Sequence, residues 1–132
     1  MLLDNRWVFK VSANADFSFT AAAAQDSDVI DLRAAGFFDG GGECFLLCRR
    51  KYGATYTKNL LSNVRFSFKS CDTEGGTYLE HVGVDVPVAT IDAGYELAKI
   101  AIGPNVKRYV RVTITTTGAA TAVTFNARLA TS

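Results

Sequence analysis

Groups that do chemistry are scarce in this chain. It has one histidine, His81, in the stretch YLEHVGV, so no second histidine is present to build a common zinc site. In a strand the neighbouring Glu80 points to the opposite face, and a surface or interface histidine is the plainer reading. No G-x-S-x-G occurs, and no nucleophile and base pair can be named. The run DGGGE lacks the Gly-Lys-Ser/Thr of a phosphate loop. Asp26, Asp28 and Asp31 approach the spacing of a calcium loop, but the central Gly and distal Glu are missing and Val29-Ile30 falls where ligands belong. We expect no catalytic residues, no metal site, no cofactor and no enzymatic activity. An excess of one charge is also lacking: 14 basic residues face 13 acidic ones, for a net charge of +1. This balance gives no bulk pull toward nucleic acid, where a strongly basic stripe would be expected. Long apolar runs are absent as well. Phe45 to Leu47 with its flanking cysteines is too short to cross a bilayer. Met1-Leu2-Leu3 meets Asp4 at once, without the apolar core of a signal peptide. The expectation is an unprocessed, soluble protein made inside the cell.

Cysteine is sparse and odd in number, with Cys44, Cys48 and Cys71. In a strand Cys44 and Cys48 share a face roughly 13 Å apart, at about 3.3 Å per residue, too far for a disulfide. A bridge from Cys71 to one of them stays open, but buried free thiols fit better.

What the chain does have is alternation. Trp7, Phe9 and Val11 share one face of a first strand, and Phe17 and Phe19 one face of a second. Ala21 to Ala24 reads as a possible helical turn. Val29 to Leu32 is a short strand, and Gly36 to Glu43 a loop. Glu43 to Arg50 is almost continuously apolar, as in a strand covered on both faces. Val64, Phe66 and Phe68 alternate with Arg65, Ser67 and Lys69. Tyr78 to Val88 is strand-like up to Pro87, which favours an edge or a break. Tyr95 to Ile102 is a further strand. In Val106 to Leu129 two alternating segments flank a soft TTGAAT turn and read as an antiparallel hairpin. With no convincing amphipathic helix, residues 1–132 are expected to form a single all-β domain of eight or more short strands, as a sandwich, a jelly roll or a barrel.

The densest charge cluster is Arg49-Arg50-Lys51, followed by Tyr52 and Tyr56. It reads either as a solvated strand end or as a grip on acidic side chains or phosphates. Nucleic-acid binding would require Lys58, Lys69, Lys107 and Arg108 on the same face. At the N-terminus, Leu2, Leu3, Arg6 and Trp7 either cover the domain's own core or meet a partner. A receptor- or carbohydrate-binding sandwich, such as a tail or fibre domain, would instead use exposed aromatics, with Tyr52, Tyr56 and Tyr78 as candidates.

Five blocks then carry a resemblance: MLLDNR at the start, DVIDLRAAG (28–36), RFSFKSCD (65–72), AGYELAKIAI (93–102) and, most specifically, GPNVKRYVRVTITTTG (103–118). Together they run nearly end to end. The chain resembles the capsid cement, or decoration, proteins of tailed bacteriophages, the family typified by the cement protein of a Bordetella phage. The resemblance implies a jelly-roll-like sandwich on the outer surface of the virion capsid, made in the host cytoplasm. It also implies contact with the major capsid protein and self-association as a homodimer, alternatively a homotrimer, without nucleic acid or membrane partners. Gly40 to Gly42, the RRKYGATYTKN segment and the cysteines depart from the family's pattern, so the resemblance does not position the contacts. From the residue types, the contacts expected are Leu2, Leu3, Arg6 and Trp7 in segment 1–7, and Arg49, Arg50, Lys51, Tyr52 and Tyr56.

Overall fold

The computed structural model describes residues 8–11, 16–33, 44–54, 56, 60–119 and 122–131. The elements are β1 (Val8–Phe9), β2 (Phe17–Phe19), β3 (Ala24–Asp26), β4 (Ile30–Asp31), β5 (Cys44–Arg50), β6 (Leu60–Cys71), β7 (Leu79–Pro87), α1 (Val88–Ala93), β8 (Glu96–Ala101), β9 (Tyr109–Ala119) and β10 (Val123–Thr131). One antiparallel sheet has the order β1-β10-β5-β8, with β2 also on β10. The other has the order β3-β9-β6-β7, with β4 also on β9. Counting β1 with β2 and β3 with β4 as two interrupted strands leaves eight, in two sheets of four. Among the described strands only β6 and β7 are sequence neighbours that pair with each other; most other connections cross from one sheet to the other. That is an antiparallel sandwich of about eight strands, one of the architectures the alternation allows and the jelly-roll-like one the resemblance implies.

The two sheets meet on their apolar faces. Phe9, Phe17, Leu46, Cys48 and Phe125 from the first sheet and Val64, Phe66, Phe68, Val110, Val112 and Ile114 from the second are fully buried. Rings interlock across the gap, with Phe66 edge-on to Phe125 at 5.6 Å and Phe9 edge-on to Phe68 at 6.1 Å. Such perpendicular pairs are the favoured aromatic geometry. Cys44 and Cys48 do share the inner face of β5, and all three thiols are free, with Cys71 half-buried. Burial pushes the Cys44 and Cys48 thiols up, so they stay protonated packing groups.

Two local expectations fail. The last two strands do not form a hairpin: β9 belongs to one sheet and β10 to the other. Each has a single apolar face, Val110, Val112 and Ile114 on β9 and Val123, Phe125, Ala127 and Leu129 on β10. Both faces are buried when the strands oppose each other across the core, and their edges are taken by β3, β4 and β6, or by β1, β2 and β5. The possible helical turn at Ala21 to Ala24 is also absent, since Ala24 opens β3. The one described helix is α1, directly after Pro87, and it buries Ile91. Six residues are too few to display a helical period, which is why the sequence hides it. Pro87 itself ends β7, an edge strand, as a residue without an N–H donor favours. At the β6–β7 turn a Cβ on Gly76 would lie 2.4 Å from Thr73 Oγ1 and 2.6 Å from Cys71 Sγ, so a larger residue requires these two side chains to turn aside.

His81 on β7 sets its Nε2 2.9 Å from the Ile102 carbonyl, tying the β7 edge to the end of β8. Asp31 ties β4 to the start of β9. Arg108 donates from Nε and Nη2 to its two oxygens at 2.8 and 3.0 Å, and the Arg33 N–H donates to Oδ1 at 2.8 Å. The Arg108 hydrogen bonds, then that of Arg33, hold this carboxyl at about 2 rather than 3.8. A folded-state value below the unfolded one means that the carboxylate stabilises the fold at neutral pH. That contribution is lost as pH falls from about 4 toward about 2. Asp31→Asn is therefore expected to be less stable than the parent near neutral pH, with the gap closing toward pH 2, in urea midpoints measured across pH.

Candidate binding surface at the end of β5

Strand β5 leaves the sandwich through its basic residues. A register shift between Cys48 and Arg49, against β8, re-aims the strand end. Arg49 stands opposite Asn126 on the outward face, and Arg50 opposite the core residue Phe125. The backbone of the exit is fixed by Arg50 N–H to the Tyr95 carbonyl and Lys51 N–H to the Thr124 carbonyl, both at 2.8 Å.

Arg50 organises the tyrosines around the strand end. Its guanidinium carbon lies 4.3 Å from the centroid of the Tyr56 ring and 4.7 Å from that of Tyr95. Its Nε donates to the Ile91 carbonyl in α1 at 3.2 Å. One cation thus covers two ring faces, an arrangement worth about 0.5–1 kcal/mol per pair at exposed sites. Tyr52 packs edge-on to Tyr95, with centroids 4.9 Å apart and planes at 68°. The Tyr56 hydroxyl donates to the Asp92 carboxylate. Burial, and then that bond, pushes the Tyr56 phenol up, so it keeps its proton. At the flanks Arg49 Nη2 pairs with Glu96 Oε1 at 3.0 Å, and Lys51 with Asp16. The result is a pre-ordered surface of rings, a fork of donors and hydroxyls. Tyr52 is 79 % exposed and Tyr95 42 %. Such a surface is equipped to bind.

Of the contacts expected from sequence, Arg49, Arg50, Lys51, Tyr52 and Tyr56 are brought together here, whereas Leu2, Leu3, Arg6 and Trp7 lie outside the described residues. The sequence reading missed Tyr95, Asp92, Glu96 and the Ile91 carbonyl. They arrive from α1 and the start of β8, some forty positions away, and only the AGYEL run carries a hint of them. Tyr78 does not join Tyr52 and Tyr56: its ring lies under Arg111 at 5.0 Å and its hydroxyl donates to the Glu74 carbonyl at 2.7 Å, on the other sheet. Nor do the further cations gather here. Lys107 pairs with Asp72 at 3.5 Å and Arg108 with Asp31, both on the side of the other sheet, and Lys69 lies on its outward face. Lys58 is outside the described residues. Among the described residues no group of three or more His, Cys, Asp or Glu side chains is placed to hold a metal, and no helix is long and apolar enough to cross a membrane.

No family model matches the chain, and no curated protein matches it. Among solved structures it is similar to a carbohydrate-binding module, TmCBM61, determined in complex with β-1,4-galactotriose. The two are 14 % identical with a TM-score of 0.43, over 89 % of this chain and 69 % of the module.

Proposed function

We propose that this chain is a structural capsid decoration protein. It binds the outer surface of an icosahedral phage shell, clamps neighbouring major capsid proteins and associates with its own copies as a homodimer, alternatively a homotrimer. The observation that carries the proposal is the patch at the end of β5: Arg50 holds Tyr56 and Tyr95 on a rigid sandwich, and the exposed Tyr52 packs edge-on against Tyr95. Tyrosine and arginine are the residue types that supply most interface energy. Ordering them before contact removes part of the entropic cost of binding. The resemblance of residues 103–118 to the cement proteins points to the same role. A receptor- or carbohydrate-binding domain needs open ring faces on which a sugar can stack. Here Arg50 occupies a face of Tyr56 and of Tyr95, and Tyr52, whose own faces are open, stands at 68° to Tyr95, so among the described residues these three rings form no single flat platform. Each joint on a shell need be only of ordinary size, because many identical joints act together.

The test is co-sedimentation of the purified protein with shells that lack it. Saturable binding at a fixed ratio to the major capsid protein is expected, and it should weaken when Arg49→Ala and Arg50→Ala are combined. No binding to mature shells contradicts the proposal and returns weight to the receptor reading.

A further inference from the structure

The two outward faces of the sandwich differ in kind. On the sheet β1-β10-β5-β8, cross-strand partners share a face, which gives the rows Val8–Arg128–Leu47–Lys99, Ala130–Phe45–Ala101 and Asn126–Arg49–Glu96. This face mixes apolar side chains with three cations, Arg49, Lys99 and Arg128, against one carboxylate, Glu96. Glu96 pairs with Arg49. Among the described residues no carboxylate pairs with Lys99, whose ammonium instead sits 4.4 Å above the Phe45 ring. Arg128 Nε and Asn126 Oδ1 are screened from water and, among the described residues, have no hydrogen-bond partner, a costly state for polar atoms. The opposite face, on β3-β9-β6-β7, is polar and carries several internal pairs. Arg65 is held by Glu80 at 2.7 Å and Asp85 at 2.9 Å, Ser67 donates to Glu80 at 2.6 Å, and Arg111 donates to the Ser27 carbonyl at 3.0 Å.

We infer that the outward face of β1-β10-β5-β8 is the one that lies on the shell, and that it takes a carboxylate-bearing, partly apolar surface of the shell protein. The inference rests on the decoration reading and deepens it. Charge selects the occupant: a second copy docked on the same face would set cations against cations, whereas an acidic surface neutralises the exposed Lys99. Packing agrees. The apolar run of β5 asks for cover on both sides. The core covers Cys44, Leu46 and Cys48, but Phe45 and Leu47 are only half-buried. Arg49 belongs to both this face and the tyrosine patch, so the two surfaces are continuous. The salt-bridged face then looks away from the shell.

The test compares Lys99→Glu with Thr117→Glu, both at exposed positions, one on each outward face, by titration onto shells that lack the protein. Lys99→Glu is expected to weaken binding about tenfold or more while lowering the melting temperature by only a few degrees, for the lost contact with the Phe45 ring, and parent binding should fall as salt rises from about 0.05 to about 0.3 M. Thr117→Glu should leave binding unchanged. Loss with Thr117→Glu but not with Lys99→Glu overturns the inference. So does intact shell binding by a Lys99→Glu protein that has lost self-association, which would give this face to a second copy. If the parent protein itself does not bind, the decoration reading fails, and the inference with it.

Discussion

Phe66→Ala is expected to lower the free energy of unfolding by about 3–5 kcal/mol. Phe66 is fully buried in the middle of β6, between β7 and β9. Its ring meets Phe125 across the sandwich at 5.6 Å and 85°, and Phe125 in turn meets Phe19 at 6.0 Å. Alanine removes a ring from the middle of this stack. Backbone ladders on both sides of β6 keep the sheet from collapsing into the hole, so the cavity term adds to the lost transfer energy. Against a typical total of about 5–15 kcal/mol, the variant should be marginal. Urea unfolding reads the change directly. A loss below about 1 kcal/mol would mean that the two sheets do not depend on this contact.

Tyr52→Ala is expected to act in the opposite sense, leaving the fold alone and removing function. The side chain is 79 % exposed and touches the domain chiefly through the edge of Tyr95. Its truncation should leave the melting temperature nearly unchanged. As an anchor of the proposed interface it should cost about 2 kcal/mol or more of shell affinity, roughly thirtyfold. Arg50→Ala should differ by affecting both readouts, because Arg50 also ties α1 through the Ile91 carbonyl and holds two rings in place. If Tyr52→Ala binds shells as the parent does, the tyrosine patch is not the contact.

Much of the fold was legible because it is written in a period of two. Val64, Phe66 and Phe68, or Val123, Phe125, Ala127 and Leu129, announce strands with one buried face, and Pro87 announces an edge. Pairing was not legible. Nothing in the alternation of β9 and β10 distinguishes two strands side by side from two strands face to face across a core, and nearness in sequence suggested the hairpin that does not form. The continuous apolar run of β5 predicts a strand covered on both sides, whereas Phe45 and Leu47 on its outer face are only half-buried. The candidate site was half legible. Arg49 to Tyr56 stood out as a charge and aromatic cluster. Tyr95, Asp92 and Glu96 did not, because their role is created only when α1 and the start of β8 pack against the end of β5.

A protein that cements a shell must do more than adhere to it. Heating shells with and without the saturating protein, and tracking the temperature at which they disrupt, measures this directly. Decoration predicts a higher disruption temperature with the parent protein and a smaller rise with Tyr52→Ala at equal concentration. Saturated shells that disrupt at the same temperature as bare ones would contradict a cementing role.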